Sequence, residues 1–243
     1  MKERIDKLLV DYGLANSLPQ AQAFILEGLV FANEQRIEKP GTRVDVGLSI
    51  RLKKFPPPYV SRGGLKLEKA LKVFTPSVEN WVCLDIGAST GGFTDCLLQH
   101  GAARVFAVDV GNNQLDWKLR SDPRVRSFEG VNARFLVFDL IGAKVDLVTM
   151  DLSFISLTLV LPVIPQFTKP GTVIICLVKP QFEVEKGQVE KGGLVTDPEK
   201  HIQVVQKIRV AAVGLGFREL GVIESPIEGM EGNKEFLMGL VMD

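Results

Sequence analysis

Between residues 81 and 242 the apolar positions come in short dense runs separated by glycine, proline and charge. Runs at 81–85, 104–108, 125–128, 145–150, 172–178, 219–223 and 236–242 have the length and β-branched content of strands. Helical patterns lie among them at 93–99, closed by Gly101, and at 201–213. Strands alternating with helices predict an α/β fold with a doubly wound, mostly parallel sheet. The first 55 residues have a different rhythm. Ile5, Leu8, Leu9 and Tyr12 follow i, i+3, i+4, i+7, and Gly13 stops that helix. Ser17 is placed to cap a second helix with Ala21, Phe24 and Ile25 on its apolar face, ending at Gly28. Residues 29–31 and 47–52 read as strands, with a turn at Asn33-Glu34-Gln35. This is a small α+β unit, suited by pattern alone to interaction, dimerisation or RNA binding.

Charge sharpens the division. The first 72 residues hold 13 Lys/Arg against 8 Asp/Glu, so a chain of zero formal net charge carries +5 there and −5 in the remainder. Phe55-Pro56-Pro57-Pro58 is a stiff extended stretch typical of a linker. The expected organisation is a basic domain over 1–55, a linker over 56–62 and a larger domain over 63–243. Hydrophobic residues at 46% and charged residues at 24% exclude a disordered or low-complexity chain. Cys83, Cys96 and Cys176 form no CxxC pair and are too few for a disulfide framework. They read as small buried hydrophobes in a reducing compartment. The opening MKERIDKLLVDYG has no apolar signal-peptide core, and the longest apolar runs fall short of the ~18 residues that span a bilayer. The sequence therefore predicts a soluble, cytoplasmic protein without a membrane partner.

LDIGASTGGFTD carries the strongest chemical signal: a strand ending in Asp85, a turn with Gly87, Gly91 and Gly92, then a helix. Glycines let a ligand approach the backbone, and ligands of such sheets bind at the carboxyl ends of the strands. The spacing is not GxGxxG, and no Lys-Ser or Lys-Thr follows, which excludes a P-loop. Asp109 ends the next strand, where a carboxylate can hold two ribose hydroxyls. An acidic first-strand end suits a cationic, amino-acid-bearing nucleoside better than a pyrophosphate, so S-adenosylmethionine is favoured over NAD. The turn and Asp109 make Asp85, Gly87, Ala88, Ser89, Gly91, Gly92, Phe93 and Asp109 the expected cofactor-binding residues.

Polar groups interrupt apolar runs at Asp151, after LVTM, at Lys179, after IICLV, and at Glu235, before FLMGLVM. Each lies at a strand end, two of them on the ligand-binding edge. Lys66, in VSRGGLKLEKAL, lies on the helix that enters the domain. An unpaired ammonium is costly to bury, so Lys179 needs a partner, and Asp151 on the adjacent strand is the natural one.

RIDKLLVDYGLANS, AQAFILEGLVFANEQRIEKPGTRV and IRL resemble the ribosomal-protein-S-four type RNA-binding domain. That resemblance makes Arg4, Lys7, Arg36, Lys39 and Arg43 the RNA-contact candidates. The residue after Ser17, often basic in such domains, is Leu18 followed by Pro19. This leaves modest, strongly salt-dependent affinity. SRGGLKL, LDIGASTGGFTD, VDV…QLDWKLRSDPRV, MDLSFISL, LVKPQFE…KGGLVTDP and SPIEGMEGNKEF resemble, in order and spacing, the TlyA (haemolysin A) family. The likeness covers essentially the whole chain. It implies a class I Rossmann-like methyltransferase sheet of the FtsJ type behind a small α+β RNA-binding domain. It also implies S-adenosylmethionine as cofactor and 2′-O-methylation of a ribose, a cytidine, in ribosomal RNA within ribosomal subunits. No obligate protein partner is implied.

By the same resemblance Lys66, Asp151, Lys179 and Glu235 form a K-D-K-E catalytic tetrad, and Asn132 in VNARFL falls where an adenine contact is expected. Lys179 is the expected base, oriented by Asp151, while Glu235 steers Lys66 or the ribose. The sequence departs from the family at Asn112-Asn113, where a glycine is common, and at Gly130-Val131, both in the ribose-edge loop. With only His100 and His201 and no clustered ligands, no metal is indicated. Two other readings remain in view: an RNA-binding ribosome-associated factor without methyl transfer, and a membrane-active haemolysin.

Overall fold

Helix formation in the first sixty residues follows from the spacing of a few apolar side chains. In the computed structural model Ile5, Leu8 and Leu9 of α1 (Ile5–Asp11) and Ala21 and Ile25 of α2 (Leu18–Leu26) are buried against each other. The structure describes every residue except 1, 16, 27, 34, 53–57, 76, 186, 230 and 231. Gly13 and Gly28 take the left-handed backbone that ends each helix, and the Ser17 hydroxyl accepts from the Gln20 N–H. Around the helices run β1 (Lys2–Arg4), β2 (Val30–Ala32), β3 (Gln35–Arg36), β4 (Arg43–Asp45) and β5 (Ile50–Leu52). β1 pairs with β4, and a second small sheet has the order β3-β2-β5. Three of these strands were not expected. Two or three residues are too few to show a period.

The larger unit contains α3 (Gly63–Phe74), β6 (Val82–Ile86), α4 (Gly92–Gln99), β7 (Arg104–Val108), α5 (Trp117–Arg120), β8 (Val125–Phe128), α6 (Phe138–Ile141) and β9 (Leu147–Met150). After two 3-10 segments, Leu157–Leu159 and Leu161–Phe167, come β10 (Val173–Val178), α7 (Pro180–Glu183), α8 (Pro198–Val213), β11 (Phe217–Glu224) and β12 (Phe236–Met242). All seven expected strands form one sheet in the order β11-β12-β10-β9-β6-β7-β8, and only β12 runs against the others. It is the Rossmann-like sheet of class I methyltransferases.

Alternate side chains of each strand face opposite sides, and both sides are covered, as a parallel sheet requires. Cys83, Val105, Leu147, Ile175 and Leu177 meet Leu67, Leu71, Cys96 and Leu97 of α3 and α4. Leu84, Phe106, Val148, Ile174 and Cys176 meet the 3-10 segments and Val204, Ile208 and Ala212 of α8. Cys83, Cys96 and Cys176 are free and buried within these layers.

The chain divides into compact units at residues 58 and 59. Residues 53–57, which hold the expected boundary and the first part of the linker, lie outside the described residues. Tyr59 and Val60, expected in the linker, pack with the larger unit instead. Tyr59 is buried, its ring filling the space left by Gly64, and the Val60 N–H donates to Asp95 Oδ2 at 2.9 Å.

Candidate active site

β6 leads into the glycine turn, and the turn is built around what a side chain would hit. Gly87 is left-handed, and a Cβ there would fall on the carbonyl oxygen of Asp151. Gly91 is also left-handed, and a Cβ there would fall on Leu119. Gly91 is packed there and lines neither of the two clefts at this edge. Asp85 also lies behind them. It is fully buried, accepting from Thr94 Oγ1 at 2.7 Å and Thr149 Oγ1 at 2.9 Å, so it ties α4 and β9 to β6 and reaches no cleft. Burial pushes its carboxyl up to about 6, against the pull of the two hydroxyls.

Asp109 ends β7 and bridges two turns. Its Oδ2 accepts from the Ser89 N–H and its Oδ1 from the Gly111 N–H, each at 2.7 Å. Each oxygen keeps a further lone pair, and the side chain lines a cleft of about 420 Å³ together with Val108, Val110, Val131, Asn132 and Ile155. The neighbouring loop carries the family departures. Asn113 is left-handed, a conformation that asparagine tolerates, and its N–H donates to Glu129 Oε2 at 3.0 Å. Glu129 is ion-paired to Arg120. Gly130 is left-handed beside the Asn112 amide oxygen. Asn132 Oδ1 accepts from the Arg134 N–H at 3.0 Å, capping the 3-10 turn at Ala133–Phe135.

Four segments bring the tetrad together. β9 ends before Asp151 and β10 before Lys179, and these strands are neighbours, so Lys179 Nζ lies 2.6 Å from Asp151 Oδ1. α3 presents Lys66 Nζ to Glu235 Oε2 at 2.5 Å, with both side chains buried. Only two of the strand-end groups were expected on the ligand edge. Because β12 is antiparallel to β10, pairing Phe236 with Val178, its start lies at the carboxyl end of the other strands and Glu235 joins them. All four groups line one cleft of about 330 Å³, shared with Gly87, Ala88, Ser89, Gly92 and Phe93. Gly87, Ser89 and Asp151 also line the Asp109 cleft, so the two clefts adjoin.

Several residues here were not singled out from sequence. Ser153 Oγ accepts from Lys179 Nζ at 2.9 Å. Phe154 is left-handed and 85% exposed, and its ring packs at a tilt of 49° against Phe182 with centroids 5.0 Å apart. Glu183 Oε2 accepts from Ser156 Oγ at 2.5 Å and its Oε1 from the Leu157 N–H at 2.7 Å. Gly229 lies where a Cβ would meet the Glu235 carboxylate. The available signal was the polar spacing of DLSFIS beside the KPQFE segment.

In the first unit Arg4 donates Nε and Nη2 to the buried Asp6 at 3.0 and 2.6 Å, and this guanidinium holds the Asp6 carboxyl below its ordinary value. Lys7 lies 3.4 Å from Glu3. Arg36, Lys39 and Arg43 are exposed, with the Arg36 guanidinium over Gly28.

A family model for FtsJ-like methyltransferases matches residues 59–242, and one for the S4 domain matches residues 3–50. Mycobacterium tuberculosis (strain CDC 1551 / Oshkosh) has a relative named 16S/23S rRNA (cytidine-2′-O)-methyltransferase TlyA. It is 46% identical over 98% of this chain and 90% of its own length. The chain belongs to the TlyA family. A TlyA relative of Bacillus subtilis (strain 168), provisionally named an rRNA methyltransferase, YqxC, is 48% identical over 98% of this chain and 85% of its own. A solved structure from Streptococcus thermophilus, provisionally named a hemolysin, is 46% identical. It covers 100% of this chain and 89% of its own with a TM-score of 0.75. Relatives of this chain thus carry both the hemolysin and the TlyA methyltransferase names. No helix among the described residues is long and apolar enough to cross a membrane.

Proposed function

We propose that this chain methylates the 2′-hydroxyl of a ribose, that of a cytidine in ribosomal RNA, using S-adenosylmethionine, and that it acts on ribosomal subunits in the cytoplasm. The observation that carries this reading is the pair of ion pairs, Lys66–Glu235 and Lys179–Asp151, facing one cleft beside a second that ends in an acidic side chain. The Asp109 cleft fits the cofactor. Its carboxylate has lone pairs for two vicinal hydroxyls, and Val108, Val110, Val131 and Ile155 offer apolar walls for a flat ring. Among the expected cofactor residues, Gly87, Ala88, Ser89, Gly92, Phe93, Asp109 and Asn132 line the clefts, while Asp85 and Gly91 support the turn from behind. S-adenosylmethionine supplies, when bound, an electrophilic methyl group on a sulfonium.

The protein's work is to orient the hydroxyl and accept its proton. Lys179 Nζ is the group placed to take that proton as the ribose oxygen becomes methylated. Asp151 holds the Lys179 amino group toward the cleft. Glu235 fixes Lys66, whose charge favours the developing alkoxide. The S4 domain, through Lys7, Arg36, Lys39, Arg43 and the partly committed Arg4, supplies backbone affinity for RNA.

The test is incubation of assembled small and large subunits with methyl-labelled S-adenosylmethionine, followed by mapping of the label. Transfer to a cytidine 2′-oxygen is expected. Label on a base, or none on either subunit, overturns the reading.

A further inference from the structure

We propose that Ser153 is a positioning residue for methyl transfer: it accepts the hydrogen bond that holds the Lys179 amino group beside Asp151 and so aims that group toward the acceptor hydroxyl. The inference rests on Lys179 being the base. An amine nitrogen on its carbon stem has three tetrahedral directions. Ser153 Oγ, at 2.9 Å, accepts a hydrogen bond along one of them, while Asp151 Oδ1 lies 2.6 Å away as an ion-pair partner without hydrogen-bond alignment. A neutral amine has two N–H bonds and one lone pair. The Ser153 acceptor holds one N–H bond and the Asp151 charge draws the amino group to the same side, so rotation is limited and the lone pair is kept available toward the hydroxyl. Without that acceptor, a long flexible side chain can rotate about its last bond and lose that aim.

Ser153 is itself held. It sits between Asp151 and the left-handed Phe154, whose ring packs at a tilt against Phe182, and the same loop is tied by Ser156 and Leu157 to Glu183. Phe182 and Glu183 belong to the segment that begins at Lys179, so base and aiming group are laced together at three points. Ser153 lines the cofactor cleft and Lys179 the adjoining one, so their hydrogen bond spans the line between the two. The other charged groups on the Lys179 cleft are Lys66 and Glu235, which pair with each other, together with Arg62 and Glu228.

Ser153 is exposed, so removing its hydroxyl leaves the core intact. Full-length Ser153→Ala and Ser153→Thr are compared with the parent on assembled subunits and labelled S-adenosylmethionine. The readouts are kcat, KM and cofactor affinity by calorimetry. Ser153→Ala should lose about 10- to 100-fold in kcat, as a misaimed group does, with cofactor affinity and KM within twofold. Ser153→Thr, which keeps the hydroxyl, should recover to within a few-fold of the parent. Unchanged kcat in Ser153→Ala, a loss confined to cofactor affinity, or no recovery by threonine would each overturn the role. A parent enzyme that labels no ribose would instead remove the methyl-transfer reading beneath it.

Discussion

At the scale of single residues, Asp85 and Lys179 are two charges on apolar strands with different uses. Asp85 is enclosed, and its raised value makes ionisation a cost to the fold. Between about pH 4 and pH 6 the unfolded chain gives up this proton before the folded one does, so the stability it contributes falls as pH rises through that window. The difference amounts to about 3 kcal/mol. Asp85→Asn keeps the shape and cannot ionise. Its stability relative to the parent should therefore rise across that window, measured by denaturant titration at each pH. A difference that stays flat with pH contradicts the assignment. Lys179 faces the cleft instead. Lys179→Ala should lose at least about two decades of turnover with cofactor affinity little changed, since general-base help is worth about 10²–10⁴-fold. Lys179→Arg should fail too, because a guanidinium keeps its proton. Near-normal turnover in the arginine variant would leave Lys179 as a fixed charge only.

At the scale of elements, the ends of β6, β9 and β10 depend on one another. Gly87 passes so close to the Asp151 carbonyl that Gly87→Ala forces both a strained backbone and a shift of the strand end. Backbone strain of this kind costs about 1–3 kcal/mol. The variant should melt lower and lose both cofactor binding and turnover, as thermal melts and calorimetry would register. An alanine variant with parental affinity would mean that the turn is slack. The strands were legible because apolar runs bounded by glycine, proline or charge leave little else for the chain to form, and 104–108, 125–128 and 236–242 fall on their expected limits. The four-residue helices α5, α6 and α7 were not, since one turn has no period. The stretch LTLVLPVIPQF hid its 3-10 geometry behind two prolines. In the site, charges that interrupt apolar runs singled out Asp151, Lys179 and Glu235, while Lys66 and the grouping of the four came from the family resemblance. Ser153, Gly229 and the inward turn of Asp85 depend on what approaches from distant segments, and no local pattern encodes that.

For the whole molecule, each unit has its own hydrophobic core, with Ile5, Leu9 and Ile25 at the centre of the first and the two faces of the large sheet in the second. Removing residues 1–55 should therefore abolish methylation of subunits while leaving cofactor affinity intact, read by calorimetry and label transfer on the same preparation. Full-rate methylation by the shortened chain would take RNA binding away from the S4 domain. The large sheet also carries a lesson about timing. β12 slots between β10 and β11, and the Lys66–Glu235 pair it completes joins residues 169 apart in sequence. Contacts so distant form late, after the loop entropy between them has been overcome. A chain without β12 in place can already own its glycine turn and the Lys179–Asp151 pair, yet it lacks the Lys66–Glu235 pair beside them. The four-residue cluster thus marks a completed sheet.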